Sequence, residues 1–427
     1  MSFVNENQLV SEFNELNISD KDSISLKITN HKNCYDPDNK KFWCKGCVPR
    51  CIIEGWTSGN DDIDNFIKDT IYNAGSYGYP IFLEWVPFDR FENLKQIGEG
   101  GFAKVYSATW IDGRAEYYKE DDGSWIKKEP KPIEVALKRL NGSQNMSADF
   151  LNELKMHWRL YWIANNSLKF YGMTKDTKTK EFMMIMKLVD GGNLRNILLS
   201  DFNNIMWDRK LAYLSNIAMD LKNLHSLGFI HKDFHSGNIL GGLYISDFGL
   251  SGPSNEQKSD NKIFGVLPYG RIINWKSPFH NRNHDNNLAL EICNGLRPKF
   301  GKGTPEIYIK LAHKCMNANP NQRPTAKELR KILKCWCYFS NHEKYEYKGF
   351  EEANNEIPNI LNSYEKNLND IYTSRAFTFK NLSKPINSSF IATSYLSEED
   401  NEDCQDSQLI DLEVPNTLKF EEHWLTI

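Results

Sequence analysis

The feature that most constrains this chain is the run from Phe229 to Gly249. It reads F-I-H-K-D-F-H-S-G-N-I-L, then a short turn, then Y-I-S-D-F-G. Asp233, Asn238 and Asp247 put three oxygen-bearing side chains in or beside short apolar segments that are typical of strands. A carboxylate can accept a hydroxyl proton, and an amide with a second carboxylate suits Mg²⁺, so the run carries the polar groups that phosphoryl transfer needs.

Length, charge and cysteine content bound the alternatives. The 427 residues can form two or three domains, or one large domain with flanking pieces. A formal net charge of −4 gives no general basic character, so nucleic acid is not the expected partner. The start of the sequence lacks a basic-then-apolar leader, and no apolar run is long enough to span a membrane. Nine cysteines in such a chain indicate reduced thiols or metal ligands, and we expect an intracellular, soluble, cytoplasmic protein.

The first 55 residues contain a possible metal site. Residues 1–30 are polar and predict a flexible arm, and residues 31–55 are rich in cysteine. His31, Cys34, Cys44 and Cys47 form two closely spaced pairs that could supply four ligands to Zn²⁺ as a zinc knuckle. The alternative is a polar loop with scattered thiols.

A helix is predicted between this leader and the next domain. Thr57 to Ala74 places Ile63, Phe66, Ile67 and Ile71 on one face, with acidic residues in the first turn, where carboxylates suit the helix dipole. We expect this helix to dock on the domain that follows and residues 56–90 to be helix and linker. A partner-binding helix is the alternative.

Further motifs upstream of the central run suit a phosphate-rich ligand. After strand-like residues from Phe91 comes I-G-E-G-G-F-A-K-V-Y, in which Gly98 and Gly100 let the backbone approach phosphates closely. V-A-L-K then carries Ala136 and Lys138, and a helix predicted from Asp149 to Leu160 carries Glu153. The continuous apolar run at 182–189 predicts a buried strand.

Two regions beyond these motifs are predicted to be helical. Asp208 to Leu227 places five apolar residues on one face: Leu211, Leu214, Ala218, Leu221 and Leu224. Near the domain's end, Thr304-Pro305 and the capping box Thr325 to Glu328 each predict a helix start.

Together these motifs resemble a eukaryotic protein kinase domain of the tyrosine-kinase-like branch, Ser/Thr type, over residues 91–338. H-K-D-F-H-S-G-N resembles the catalytic loop and D-F-G the metal-binding motif. The resemblance implies a bilobal α+β fold with a β-rich N-lobe, a mainly helical C-lobe, ATP and Mg²⁺ as ligands, and a protein substrate or signalling partner.

The resemblance also implies the role of each site residue. Asp233 orients the substrate hydroxyl and accepts its proton, Lys138 and Glu153 position phosphates, and Asn238 and Asp247 hold Mg²⁺. Phe248 packs to set the active state and His231 supports the loop. The nucleotide-binding residues implied are Ile97, Gly98, Glu99, Gly100, Gly101, Phe102, Ala103, Val105, Ala136, Lys138, Met186, Lys187, Val189 and Leu240.

Three single residues depart from the family pattern. Lys232 stands where Arg is usual, so control by activation-loop phosphorylation is in doubt, because Lys cannot grip a phosphate bidentately. Ala103 stands where the third glycine of the Gly-rich loop is usual. His235 stands two residues after Asp233, where Ser/Thr kinases commonly carry Lys, so Ser/Thr versus Tyr preference stays open.

A larger departure follows Tyr269. Gly270 runs directly into R-I-I-N-W-K-S-P, so roughly 30 residues, including the A-P-E motif and part of the central C-lobe helix, are missing relative to the family pattern. The gap is either real or comes from a gene model that dropped coding sequence. Arg323, which would pair with the Glu of A-P-E, is then exposed or paired with another acid.

Residues 339–427 predict a polar, acidic and largely disordered tail. Three functions are therefore open: a protein kinase, an ATP-binding pseudokinase or scaffold without phosphotransfer, and an interaction protein whose functional part is a zinc-binding leader.

Overall fold

The computed structural model describes residues 55–74, 81–100, 103–119, 125–129, 131–164, 167–253, 262–263, 279, 282, 285–301, 303–339, 348–357, 377–378 and 382–387. The predicted zinc ligands in 31–55, the loop residues Gly101 and Phe102, and the predicted gap after Tyr269 lie outside these residues. The chain divides into two units. The first comprises Met1–Gly98, Ala103–Leu151 and Phe170–Lys187, and the second Glu99–Phe102, Asn152–Lys169 and Leu188–Ile427.

The first unit is built on a six-stranded sheet. Its strands are β1 (Glu84–Trp85), β2 (Phe91–Glu99), β3 (Ala103–Trp110), β6 (Ile133–Leu140), β7 (Phe170–Lys175) and β8 (Phe182–Lys187). Their order across the sheet is β1-β7-β8-β6-β3-β2. The two-residue β1 pairs parallel with β7, whereas β3, β6, β8 and β7 pair antiparallel in turn. One face packs a core of eight buried side chains: Val86, Phe91, Ala108, Trp110, Val135, Leu137, Met183 and Ile185.

The charged insertion between β3 and β6 forms a structure of its own. It contains a small antiparallel hairpin, β4 (Tyr117–Lys119) with β5 (Trp125–Lys127). This hairpin forms a separate two-stranded sheet, so it does not extend the main one.

Helix α1 (Asp61–Tyr72) lies where the periodicity predicts a helix. The Asn60 side chain accepts the Ile63 N–H, which caps the helix start. The apolar stripe is buried, with Ile63 and Ile67 fully inaccessible. The Leu83 N–H donates to Thr70 Oγ1 (2.9 Å) and the Trp56 ring stacks on Trp85, so the helix is tied to the edge of the sheet that β1 forms.

The second unit is mainly helical. Its helices are α2 (Ala148–Ile163, which begins in the first unit), α3 (Leu194–Asp201), α4 (Trp207–Ser226), α5 (Asn286–Cys293), α6 (Glu306–Cys315), α7 (Ala326–Phe339) and α8 (Lys348–Glu356). All five residues of the face predicted for α4 are buried. Helix α7 packs along α4, and Arg330 donates a hydrogen bond to Ser215 Oγ.

The starts of α7 and α6 test the two capping predictions. Thr325 and Glu328 form the predicted capping box, since the Glu328 N–H donates to Thr325 Oγ1 and the Thr325 N–H to Glu328 Oε2. The prediction for α6 is wrong in part. Pro305 is its N-cap residue without a side-chain hydrogen bond, and the Thr304 hydroxyl donates instead to Gly301 O.

Residues beyond 339, placed in the tail by the sequence, contribute to the second unit. Helix α8 and the residue after it bury Phe350, Ala353 and Ile357 in the same core as α4, with Phe350 beside the ring of Trp207. Asn354 Oδ1 accepts the Trp207 N–H (2.7 Å), so a tail residue caps the start of α4.

A second tail segment, residues 382–387, lies along α5. The Ile386 N–H donates to Cys293 O, and the Arg297 guanidinium donates to Ile386 O. Asn387 Oδ1 accepts the Ala318 N–H (2.7 Å).

Arg323 was predicted to be either exposed or paired with another acid. It is exposed, and its guanidinium donates to Asn317 O (2.7 Å).

Across the residues that the structure describes, no helix is long and apolar enough to cross a membrane.

Candidate active site

The catalytic loop is held by a histidine that joins two backbone segments. β9 (Phe229–Ile230) pairs with β12 (Gly252–Pro253), and His231 follows β9 in a buried position. The Asp233 N–H donates to His231 Nδ1 (3.3 Å), so the ring carries its proton on Nε2, which donates to Ser246 O (3.0 Å). Burial lowers the pKa of His231, which keeps this ring neutral. His231 therefore fixes the backbone of Asp233 relative to the residue before Asp247.

The Asp233 carboxylate is oriented by Asn238. The Asn238 amide nitrogen donates to both the backbone O (3.0 Å) and Oδ2 (3.1 Å) of Asp233. Asn238 is buried and ends the 3-10 turn Ser236–Asn238. Since the nitrogen serves Asp233, the amide oxygen is the atom that can face a cation.

A short hairpin brings Asp247 to the same end of the loop. β10 (Ile239–Leu240) pairs with β11 (Tyr244–Ile245) in the register Ile239 to Ile245, and the Ser246 N–H donates to Asn238 O (2.8 Å). Asp247 follows with φ of 66°, a left-handed conformation that Asp tolerates better than most residues. Asn238 and Asp247 thus lie on neighbouring strand ends and could hold one cation.

Phe248 and Glu153 complete this part of the site. The buried Phe248 ring lies between two imidazoles, with ring centroids 4.6 Å from His157 and 5.3 Å from His231. A Cβ placed on Gly249 would lie 3.4 Å from Glu153 Oε2 and 3.7 Å from Asp247 Oδ1. The buried Glu153 carboxylate of α2 and the Asp247 carboxylate therefore both border Gly249, and this concentration of negative charge suits a cation.

Two predicted nucleotide-binding residues, Val189 and Leu240, lie on neighbouring segments of the second unit. A Cβ on Gly241 would lie 2.7 Å from Val189 Cγ1, and the Gly241 N–H donates to Gly192 O. Leu240 forms a β-bridge with Asn193. The segment after β8 therefore runs beside Leu240.

In the first unit, strand register gathers most of the remaining predicted residues on one face. Lys138 is directly opposite Val105 on β3, and Ala136 is opposite Met186 on β8. Opposed residues of an antiparallel pair point to the same face, as do residues two apart in a strand. Val105, Ala136, Lys138 and Met186 thus share the sheet face opposite the core residues Val135 and Leu137.

The remaining predicted residues occupy the ends of the same strands. Ile97 and Gly98 lie in β2, with the Gly98 Cβ position 3.7 Å from Val105 Cβ, and Glu99 ends that strand. Gly100 is exposed, Ala103 begins β3 and Lys187 ends β8. The predicted pairing of Lys138 with Glu153 joins residues of different units and stays a prediction.

Sequence reasoning did not assign a contact to His235, which faces Asp233. His235 Nε2 lies 3.6 Å from Asp233 Oδ1, and its Nδ1 accepts the Gly237 N–H (3.0 Å). Burial lowers the pKa of His235, with Asp233 as the largest opposing influence. The signal in the sequence is a side-chain acceptor just before Ser-Gly, the pattern of a capped turn.

The polar groups of the loop fit Mg²⁺ bound with a phosphate ligand. Among the described residues no cluster of three or more His, Cys, Asp or Glu could hold a metal without further ligands. An amide oxygen and a carboxylate are nevertheless enough for Mg²⁺, which keeps several waters and shares the phosphate oxygens of its substrate.

Comparison with known proteins defines the class. Residues 91–262 match the family model described as protein tyrosine and serine/threonine kinase. This range contains the other five strands of the six-stranded sheet but not β1, and it includes the catalytic loop and the D-F-G motif. The chain therefore contains a eukaryotic protein kinase domain, with the predicted combination of a β-sheet lobe and helices.

The similar proteins include kinases that are named for serine and threonine. A probable LIM domain-containing serine/threonine-protein kinase of Dictyostelium discoideum is 29% identical over 198 residues, covering 40% of this chain and 20% of that protein. A probable serine/threonine-protein kinase of the same organism is 26% identical over 276 residues, covering 57% and 61%. A putative serine/threonine-protein kinase/receptor of Acanthamoeba polyphaga mimivirus is 24% identical over 287 residues, covering 59% and 16%. The chain thus spans less than two thirds of the length of each of these relatives.

Proposed function

We propose that this chain is a protein kinase of the tyrosine-kinase-like branch that transfers the γ-phosphoryl group of ATP to Ser or Thr hydroxyls of intracellular proteins. The observation that carries the proposal is the Asp233 carboxylate, oriented by Asn238 (3.1 Å), together with a second carboxylate, Asp247, which follows the strand next to Asn238. The names of similar proteins favour serine and threonine as acceptors.

In the proposed reaction, Asp233 accepts the proton of the acceptor hydroxyl. The hydroxyl oxygen forms a bond to the γ-phosphorus, and the bond from that phosphorus to the bridging oxygen of ATP breaks, which releases ADP. The Asn238 amide keeps the Asp233 carboxylate in one orientation, so positioning supplies a large part of the rate.

The other roles divide between the two units. Asn238 and Asp247 would hold Mg²⁺, which when bound neutralises charge on the phosphates. Lys138 and Glu153 position the phosphates, and the sheet face with Val105, Ala136 and Met186 contacts the adenine. Buried thiols such as Cys293 and Cys315 support an intracellular location, because reduced cysteines persist in reducing compartments.

The test is turnover by the full chain with MgATP and a generic protein substrate such as casein, with phosphate incorporation as the readout. Asp233→Asn should lower the rate about 1,000-fold, because general-base catalysis is lost while the shape is kept. Wild-type activity no higher than that of Asp233→Asn would refute the proposal.

A second function, an ATP-binding pseudokinase or scaffold, is favoured by one sequence observation. The chain runs from Gly270 directly into R-I-I-N-W, without the A-P-E segment that cradles an acceptor peptide in the family pattern. This function predicts that MgATP raises the melting temperature, that Lys138→Ala abolishes the shift, and that no phosphate is transferred. Transcript length across Tyr269 to Pro278 shows whether the gap is real.

The zinc-binding leader is a separate proposal for residues 31–55. Metal analysis of purified protein containing His31, Cys34, Cys44 and Cys47 should find one zinc per chain. A zinc content that does not fall in a Cys44→Ser, Cys47→Ser variant excludes this site.

A further inference from the structure

His235 occupies a defined position between a backbone turn and the Asp233 carboxylate. Its Nδ1 accepts the Gly237 N–H at 3.0 Å, which makes it the side-chain cap of the 3-10 turn. Its Nε2 lies 3.6 Å from Asp233 Oδ1, and the two side chains are only 22% and 17% exposed. The imidazole therefore has its two nitrogens committed to different tasks.

The cap decides which tautomer faces Asp233. Because Nδ1 accepts a hydrogen bond, the neutral ring carries its proton on Nε2. The protonated Nε2 then lies 3.6 Å from Asp233 Oδ1, a polar contact longer than a hydrogen bond, while Asn238 donates to Oδ2 of the same carboxylate at 3.1 Å. One oxygen of the carboxylate thus accepts a hydrogen bond, and the other has the Nε2–H nearby.

We propose that His235 is a positioning residue for phosphoryl transfer, which holds the Asp233 carboxylate in its productive orientation through Nε2–H while Nδ1 caps the turn. The inference rests on the proposed kinase function. The Asn238 hydrogen bond on one oxygen and the polar N–H near the other restrict rotation of the carboxylate about its terminal bond, so that it stays aimed at the acceptor hydroxyl.

The charges around His235 fit this role. Asp233 and Asp247 favour the protonated ring, and Arg195 of α3 disfavours it. The Arg195 guanidinium lies over the same turn, since a Cβ on Gly237 would be 3.0 Å from its Nη2. The ring is therefore enclosed by the turn it caps, one cation and two carboxylates.

The alternative is that His235 only caps the turn, and two variants separate the roles. His235→Asn keeps a side-chain oxygen that can accept the Gly237 N–H, but the side chain is too short to reach Asp233. His235→Gln places an amide N–H at the reach of Nε2 but gives up the cap geometry. The positioning role and the cap role thus predict opposite orders of activity.

Steady-state kinetics of the full chain decide between the two roles. We expect His235→Asn to lower kcat about tenfold with an unchanged KM for ATP and a melting temperature near that of the wild type. His235→Gln should melt at a lower temperature yet keep a higher kcat than His235→Asn. A wild-type kcat in His235→Asn, or rates that follow the melting temperature in both variants, overturns the proposal.

A readout that needs no turnover separates this proposal from the kinase assignment. The ¹⁵N resonances of His235 should show a proton on Nε2, and Asp233→Asn should shift the Nε2 resonance more than that of Nδ1. A proton on Nδ1, or no response to Asp233→Asn, contradicts the role of His235. Absence of turnover with the expected resonances counts against kinase activity alone.

Discussion

The catalytic loop, residues 229–249, and helix α4, which leads into it, bury polar groups in opposite ways. In the loop, His231, Asp233 and Asn238 hydrogen-bond one another or nearby backbone groups. In the helix, Lys210 is 1% exposed with its ammonium 4.2 Å from the Phe202 ring centroid. Burial lowers the pKa of Lys210 to about 8 and raises that of Asp220 to about 7, against the opposing hydrogen bond from the Ile245 N–H.

This difference separates the polar groups of the proposed catalytic site from polar groups whose burial weakens the fold. Where hydrogen bonds compensate for the loss of water around a buried side chain, that side chain can keep the protonation state that the proposed reaction needs. Where they do not, the buried charge lowers stability, and its replacement should strengthen the protein. Changes in the loop should thus act on rate, and changes in the helix on unfolding.

The largest expected effect is on the loop. Asn238→Ala removes the donor that orients Asp233 and a proposed Mg²⁺ ligand, so kcat should fall about 1,000-fold at saturating MgATP. Asn238→Asp keeps an oxygen for the cation but sets a carboxylate against Asp233, and should also be strongly impaired. A kcat of Asn238→Ala within tenfold of the wild-type value would show that the hydrogen bonds from Asn238 do not control the rate.

Asp220→Asn should reveal the buried carboxyl of the helix as pH changes. The pKa of Asp220 is raised in the folded state, so the native protein binds more protons than the unfolded chain between about pH 4 and pH 7. Its contribution to stability is therefore lost as pH rises through that range, whereas Asn keeps an acceptor for Ile245 N–H and does not titrate.

The stability of Asp220→Asn relative to wild type should rise by about 2 kcal/mol between pH 5 and pH 8, measured by denaturant unfolding. Asp208→Asn, at an exposed position of the same helix, is the control for the loss of a carboxylate. Equal pH dependence in both variants would mean that Asp220 is not the titrating group.

Asn354→Ala should remove the cap that α8 gives to α4. The Trp207 N–H would lose its acceptor at 2.7 Å, so the free energy of unfolding should fall by about 1 kcal/mol. Asn355→Ala, at the next and exposed position, is the matched control. The two variants should differ in denaturant midpoint but not in the KM for ATP.

The smallest effect is expected from Lys210→Met. Removing the buried ammonium should stabilise the protein, and losing its contacts with Phe202 and Trp207 should cancel part of that gain. The free energy of unfolding at pH 7 should therefore rise by about 0.5 kcal/mol. The gain should disappear between about pH 8 and pH 10 and turn into a loss of stability relative to wild type, because the folded wild type then releases its proton before the unfolded chain does. Lys222→Met, at a less buried position of the same helix, is the control for the loss of a lysine charge.

Local pattern explains how much of the molecule could be predicted from sequence. The conformation of the loop follows from a dense motif, whereas the roles of its residues stay predictions. The shared face of Ala136 and Lys138 follows from strand alternation, and the buried face of α4 follows from its 3.6-residue period. These features depend on residues close together in the chain, whereas the position of Val105 opposite Lys138 depends on strand register.

What the sequence did not predict depends on contacts between distant residues or on side-chain detail. Asn354 caps a helix 147 residues away, and no local signal marks it as a cap. Helical periodicity does not predict that Lys210 is buried, because its burial depends on packing against the rings of Phe202 and Trp207. The contact of His235 with Asp233 depends on a ring rotamer set by the Gly237 N–H. The zinc ligands and the gap after Tyr269 stay predictions.

Helix α8 has a practical consequence for dividing this chain. A piece ending at Phe339 would expose the indoles of Trp207 and Trp336, both of which contact Phe350, and would leave the first turn of α4 without its cap. Exposed rings of this size promote self-association. We therefore expect the shortest monodisperse piece that carries the loop at residues 229–249 to extend at least to Ile357, which is fully buried.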